Sequence, residues 1–218
     1  MRTATIRGTG QSLPIGKILC IGRNYAEHIR ELGNEVPEAP VVFSKPASSV
    51  IYGGGTVVIP PYSRECHHEA ELAVLIGLLG KAIPREQALA YVAGYGVAID
   101  LTLRDVQAEL KKKGLPWDIA KGFDTACPLS DFAPAAAVSN PQALQIRLSV
   151  NGTLRQDGST ALMIHPVTEL IAHLSSIFTL EPGDLILTGT PAGVGPLVSG
   201  DRVAAEISGV ASLEVTVR

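Results

Sequence analysis

The hydrophobic pattern changes rhythm repeatedly along the 218-residue chain, and each change marks an element. Residues 17–21 form a short apolar run leading into Gly22-Arg23-Asn24, and read as a strand. Asn24 is a helix-capping residue type with Glu27 three positions on, so the pattern predicts a helix over 25–32 that stops at Gly33. A polar, proline-bearing loop over 34–40 follows, then strands over 41–44 and 56–59 separated by the Gly53-Gly54-Gly55 turn. The longest apolar strand signal covers 69–77, apolar on both faces and therefore an interior strand. Pro84 opens a short helix over 85–91, and 94–103 reads as a buried strand ending near Asp100. Residues 104–113 have helical spacing (Val106, Leu110) up to Gly114. Two strands flank Asn151-Gly152, a strong short hairpin signal. An amphipathic helix over 165–175 precedes strands over 184–188, 202–207 and 213–217. With no repeats and no low-complexity tract, these elements make a β-rich α+β fold, not a regular βαβ alternation.

Composition narrows the setting. Hydrophobic residues at 46% and charged residues at 18% suit a chain with a substantial core, and 22 glycines with 15 prolines suit many turns. The length fits one domain, or one catalytic unit with a small N-terminal extension. A net charge of −3 gives no basic excess, so neither nucleic acid nor an anionic membrane is an expected partner. No run of about 18 apolar residues is present to span a membrane. Cys20, Cys66 and Cys127 stand far apart, an odd set that argues for a reducing compartment rather than a disulfide framework. Without a secretory or Arg/Ser-rich leader pattern, the expected location is the cytoplasm.

The chemistry concentrates in Cys66-His67-His68-Glu69-Ala70-Glu71-Leu72. Strand alternation directs Glu69 and Glu71 to one face. Two carboxylates on a buried strand repel and lose hydration, and a cation relieves both costs. Asp100 ends another buried strand and supplies a third oxygen ligand. An all-carboxylate set suits a hard ion, Mg²⁺ or Mn²⁺. The plain alternative is an exposed sheet edge on which Glu69 and Glu71 pair with lysines. Cys66 and His68 fall on one strand face and His67 on the other with the glutamates, so no compact zinc set forms.

Six stretches, GRNYAEH, HHEAEL, AIDLTLRDVQ, KKKGLPWDIAKGFDT, VNGTLRQDG and LTGTPAGVGP, resemble in order the signatures of the fumarylacetoacetate hydrolase family, and most closely its acylpyruvate hydrolase / oxaloacetate decarboxylase branch. The resemblance runs over 17–218, leaving 1–16 as a short extension. It implies a mixed β-sandwich roll, a homodimer, and one Mg²⁺ or Mn²⁺ held by Glu69, Glu71 and Asp100.

His28 and Glu31, three apart, share a helical face, and a carboxylate beside an imidazole orients it and raises its basicity. Read alone, the pair is more simply a surface ion pair on an amphipathic helix. The resemblance makes it a water-activating pair on a lid helix, with the 34–40 loop as its flank. It further implies that Lys121 is catalytic at the substrate carbonyl or enolate, that Arg104 and Gln107 bind carboxylate or carbonyl oxygens, that Thr190 binds the substrate carboxylate, and that Arg23 acts in the lid-closed state. The plain alternatives are a snorkelling lysine and an exposed first helical turn. Gly189–Gly195 lacks a phosphate loop's G-K-[ST] ending, and His165 and His173, without a partner at suggestive spacing, read as structural.

The expected activity is metal-dependent C–C bond hydrolysis of acylpyruvates, with oxaloacetate decarboxylation through the same enolate. A tautomerase or isomerase of keto–enol dicarboxylic acids is the alternative. A Schiff-base aldolase and a non-catalytic keto-acid binder are further rivals.

Overall fold

In the computed structural model, which describes residues 1–33 and 35–218, the chain is a strand-rich α+β fold with curled sheets. The strands are β1 (Thr3–Ile6), β2 (Gln11–Pro14), β3 (Ile18–Gly22), β4 (Val41–Lys45), β5 (Val50–Tyr52), β6 (Thr56–Val57), β7 (Cys66–His68), β8 (Ala70–Ile76) and β9 (Val92–Ile99) in the first half. The second half adds β10 (Thr102–Leu103), β11 (Cys127–Leu129), β12 (Ala133–Pro134), β13 (Gln145–Val150), β14 (Thr153–Ser159), β15 (Leu185–Leu187), β16 (Gly195–Leu197), β17 (Arg202–Ile207) and β18 (Ala211–Val217). The α-helices are α1 (Ala26–Glu31), α2 (Arg104–Lys112), α3 (Asp118–Lys121) and α4 (Val167–Ile177).

The main sheet runs β4-β3-β15-β8-β9-β11-β5, with β12 also on β9. Its central strands are buried throughout, which is why 69–77 and 94–103 carry apolar residues on both faces. One face packs on α4 and on the inner face of a second sheet, β14-β13-β17-β18-β6. In that second sheet β17 and β18 alternate buried and exposed residues, as strands with one wet face must. The opposite face of the main sheet closes on a smaller cluster containing Cys20, Ala73, Leu75, Ala98 and Cys127. The first sixteen residues form the antiparallel β1–β2 hairpin, whose Ala4, Ile6 and Ile15 pack into this cluster beside Phe132.

Three details differ from the pattern-based expectation. The strand expected over 69–77 is found as β8, but the residues before it, 66–68, do not continue it: β7 pairs with β10 and β16 in a small third sheet, whereas β8 pairs with β9 and β15. The chain changes sheets there, and Glu69 sits at the junction. Asn24 does not cap α1: Tyr25 is the N-cap residue, without a side-chain bond, and the Asn24 carboxamide is used elsewhere. Helix α4 begins two residues later than expected because Pro166 occupies its N-cap. Asn34, the first residue of the loop expected over 34–40, lies outside the described residues. The Asn151-Gly152 turn has φ of 52° and 78°, the left-handed pair of a type I′ hairpin. Among the described residues, no helix is long and apolar enough to cross a membrane.

Candidate active site

Parity along β8 and β9 settles where the carboxylates go. Leu72 and Val74 face the larger core and Ala73 and Leu75 the smaller, so Glu71 points with the latter into the curl of the sheet. Asp100 follows Ile99 at the end of β9, and its N–H donates to Glu69 O (2.8 Å), which locks the sheet junction against the strand end. Glu69, Glu71 and Asp100 are 5%, 1% and 0% exposed, and one oxygen from each lies within 4.8 Å of the others. The exposed-edge alternative is thereby excluded.

Three cations face them. Lys121 Nζ donates to Glu69 Oε2 (2.9 Å) and Asp100 Oδ2 (2.7 Å). Arg104, at the start of α2, pairs with Glu69 Oε1 and donates from Nη1 to Gln107 Oε1 (3.1 Å). Lys45 Nζ lies 2.7 Å from Asp100 Oδ1, but its hydrogens are directed to the carbonyls of Leu101, Lys121 and Ala126. Asp100 Oδ1 therefore remains a buried acceptor without a hydrogen bond.

These surroundings split the carboxylates. Burial works against the Glu69 charge, but Arg104 and Lys121 outweigh it and hold Glu69 well below the usual carboxylate range. Burial, reinforced by Asp100 and Glu69, pushes Glu71 well above that range although Gly189 N–H donates to its Oε2 (2.7 Å). Burial alone would lower the Lys121 pKa, yet Asp100 and Glu69 raise it, so its amine stays protonated. That suits electrostatic stabilisation and disfavours imine chemistry, which needs a neutral amine.

The donor set fits a hard divalent ion. Three hard oxygens converge, one acceptor has no hydrogen bond, and a buried carboxylate is forced toward protonation for want of positive charge. No cysteine or histidine joins the cluster, in keeping with a non-zinc set among the described residues.

His28 forms part of the roof. It projects from α1 at 6% exposure, and its Nδ1 lies 3.2 Å from Glu31 Oε2. Glu31 also accepts from Gly193 N–H (3.1 Å). One pocket is lined by Arg23, His28, Glu69, Glu71, Asp100, Arg104, Gln107, Lys121 and Thr190, with about 40 Å³ of free space. Glu31 stands behind His28, outside that lining. Arg23 carries a left-handed φ of 60°, local strain of a kind that gathers at functional sites. Gln107, 5% exposed, is no part of an exposed helical turn. The Thr190 hydroxyl donates to Ala70 O (2.8 Å) and must rotate to meet a substrate carboxylate.

Two residues escaped the sequence reading. Lys45 looked like an ordinary strand-end lysine; its signal was its place at the close of the apolar run Val41-Val42-Phe43. Gln156 lay in the predicted hairpin but is fully buried: its Oε1 accepts from Ala70 N–H (3.0 Å) and lies 3.1 Å from His68 Nδ1, while Nε2 donates to Thr190 Oγ1 (2.7 Å) and Pro191 O (2.9 Å). It thus joins β14 to β8 and braces Thr190. His165 has the partner its spacing concealed, Glu169 four residues on at 2.6 Å.

A strand-rich fold curled around three buried carboxylates belongs to a recognisable class of enzymes. Residues 17–218 match the family model described as fumarylacetoacetate (FAA) hydrolase, C-terminal. The chain is 50% identical over 201 residues to oxaloacetate tautomerase FAHD1, mitochondrial, of Mus musculus, covering 92% of this chain and 91% of that one. It is 51% identical over 197 residues to oxaloacetate tautomerase YcgM of Escherichia coli, covering 90% of each. The crystal structure of fumarylpyruvate hydrolase from Pseudomonas aeruginosa, in complex with Mn²⁺ and pyruvate, superposes with a TM-score of 0.95 at 39% identity, over 99% of this chain and 95% of that one. The protein is an enzyme of the fumarylacetoacetate hydrolase family.

Proposed function

We propose that this enzyme interconverts the keto and enol forms of oxaloacetate and related 2-oxo dicarboxylic acids through an enolate. The observation that carries the reading is the pocket itself: an array of cations and carboxylates in the floor, with one oriented imidazole above it. Relatives at about half identity named oxaloacetate tautomerase move the weight from hydrolysis, the first expectation from the motifs, toward tautomerisation.

Arg104 and Gln107 bind the substrate's carboxylate and carbonyl oxygens, and Thr190 receives the carboxylate once its hydroxyl turns from Ala70. Arg23 closes the mouth. Glu69, Glu71 and Asp100 would hold Mg²⁺ or Mn²⁺, which when bound supplies Lewis-acid polarisation of a 2-oxo carboxylate. Lys121 stabilises negative charge on the enolate oxygen from a dry, preorganised position. His28, its ring turned by Glu31, takes the proton from C3 and returns it to the enolate oxygen, or the reverse, so that keto and enol interconvert with no net gain or loss of a proton. Helix α1, six residues long and exposed on its outer face, is the element placed to shift as substrate enters.

Acylpyruvate hydrolysis is the second reading, favoured by the His28–Glu31 pair, which can deprotonate water as readily as carbon, and by likeness to a fumarylpyruvate hydrolase. Oxaloacetate decarboxylation would use the same enolate without needing His28. Cytoplasmic location and a homodimer complete the proposal; light scattering of the purified chain tests the latter.

The deciding experiment strips the enzyme of metal, reloads it with Mg²⁺ or Mn²⁺, and assays oxaloacetate tautomerisation, oxaloacetate decarboxylation and acetylpyruvate cleavage in parallel. His28→Ala should lower tautomerisation and cleavage by on the order of 10²–10⁴ while decarboxylation persists. Tautomerisation at the uncatalysed rate in the loaded wild type rejects the proposal.

A further inference from the structure

Helix α1 has six residues, of which only His28 and Ile29 are buried, so little of its own packing fixes the height of His28 above the floor. Its attachments do that, and they lie on two segments, residues 163–165 and 188–193. At the outer end Gly193 N–H donates to Glu31, an exposed contact. At the inner end stands Asn24, 1% exposed.

The Asn24 carboxamide is fully engaged. Nδ2 donates to Thr188 O (2.8 Å) and to His165 O (3.1 Å), and Oδ1 accepts from His165 N–H (2.8 Å). Its backbone carbonyl accepts from Ile164 N–H (2.9 Å). The next residue of the 188–193 segment, Gly189, donates to Glu71, and Thr190 follows it. Gly189 has φ of +92°, and a Cβ there would come within 2.8 Å of the Asn24 Cβ, so the two backbones meet without a spacer. One side chain therefore ties the root of the His28 helix to the strand end that supports a floor carboxylate.

We propose that Asn24 is a positioning residue for the reaction: it sets His28 over the floor by fixing the pivot of α1 to the Thr188–Gly189 backbone. This rests on the reading of His28 as the proton carrier. No other residue type does the same work at this place. Aspartate keeps the acceptor for His165 N–H but replaces both donors with acceptors facing the carbonyls of Thr188 and His165. Serine and alanine are too short to span the three partners.

The test uses the full chain loaded with Mn²⁺. Asn24→Asp should lower kcat for tautomerisation and for acetylpyruvate cleavage by about 10- to 100-fold, the cost of a reacting group misplaced by roughly an ångström. KM for oxaloacetate, Mn²⁺ affinity by titration calorimetry and the decarboxylation rate should each change far less, staying within about threefold, because Asn24 reaches the floor only through the Thr188–Gly189 backbone and bonds to none of its carboxylates. In a His28→Ala background the same substitution should add less than about threefold, since groups acting as one unit are not additive. Uniform loss of all three activities, or a full additional loss on top of His28→Ala, overturns the proposal in favour of general stabilisation. A severe His28→Ala defect with a silent Asn24→Asp overturns the role of Asn24 alone. An undiminished His28→Ala enzyme overturns the reading of His28, and with it the purpose given to Asn24. Should Asn24→Asp not fold, hydrogen exchange of the wild type decides: the Ile164 and His165 amides, which donate to Asn24, should be protected like those of β3, and those of 32 and 33 at the far end of α1 should exchange at least about tenfold faster. Exchange of Ile164 and His165 as fast as that of 32 and 33 rejects a pivot at Asn24.

Discussion

Glu71 and Asp100, in the floor of the chamber, are no more than 1% exposed and extend from strands covered on both faces, whereas the Glu31 side chain in the roof is 32% exposed on a six-residue helix. Two floor groups are held by charged neighbours, Lys121 spanning Glu69 and Asp100, Arg104 gripping the other Glu69 oxygen and Lys45 bracing Asp100, while Glu71 takes the Gly189 amide. The roof is held by a carboxamide at one end and a backbone amide at the other. The lesson is a division of labour. On the proposed mechanism, charge that must be stabilised in place sits among buried, ion-paired groups, and the group that exchanges a proton with substrate sits on a short, partly exposed helix.

Breaking the floor should have the larger effects. Asp100→Asn removes a charged ligand and leaves Lys121 and Lys45 short of a partner, so activity should fall by on the order of 10³ together with Mn²⁺ affinity. Calorimetric titration checks the affinity; a wild-type value would reject the convergence of the three carboxylates on one ion. Lys45→Met is a test of structure more than of chemistry. It takes a buried cation away from Asp100 and from three carbonyls, and should cost about 3–5 kcal/mol in urea unfolding, with Mn²⁺ restoring part of the loss. An unchanged midpoint would mean the floor does not depend on its brace.

The roof should yield less. Glu31→Gln keeps a hydrogen bond to His28 but removes its charge, and should lower tautomerisation by about tenfold with no change in thermal midpoint. If the midpoint falls as far as for Lys45→Met, the contrast between floor and roof fails. The smallest effect is expected at Asp105. Its modest burial disfavours charge, but donors from Ser63 Oγ (2.7 Å) and the Arg64 and Val106 amides (2.9 Å each) outweigh this and hold the carboxyl below its usual range. A depressed folded pKa contributes stability that is present above the unfolded carboxylate pKa of about 4 and lost as pH falls through the folded value. Asp105→Ala should therefore cost about 1 kcal/mol at pH 7 and progressively less below pH 4, measured by unfolding at several pH values.

The floor was legible in the sequence because its residues are marked locally: Glu71 keeps the parity of β8, and Glu69 and Asp100 stand at the ends of buried strands. Glu69 and Glu71 two apart, and Asp100 closing an apolar run, are local facts that survive folding. The roof was legible only in part: the spacing of His28 and Glu31 was right, but Asn24 was read as a cap because capping is the commonest local use of such a residue, and its real partners lie 141 and 164 positions away. Lys45 and Gln156 were missed for the same reason. A lysine ending a strand and a glutamine in a hairpin have ordinary surface roles, and only the closing of the main sheet over one and the stacking of two sheets over the other buries them. The short strands β5, β11, β12 and β16 carry too few residues to show a period at all.

The position of β15 has a consequence for how the molecule comes into being. It lies between β3 and β8, parallel to the first and antiparallel to the second, yet it is made long after both. Until Leu187 has left the ribosome, two apolar strands face each other across a gap with unsatisfied hydrogen-bonding edges, a state that invites strand exchange with neighbouring nascent chains. Insertion of those three residues closes the sheet and delivers Thr188, Gly189 and Thr190 to the pocket in the same event. Closure of the main sheet and delivery of this wall of the pocket are thus coupled, and a product ending before Thr188 lacks that wall.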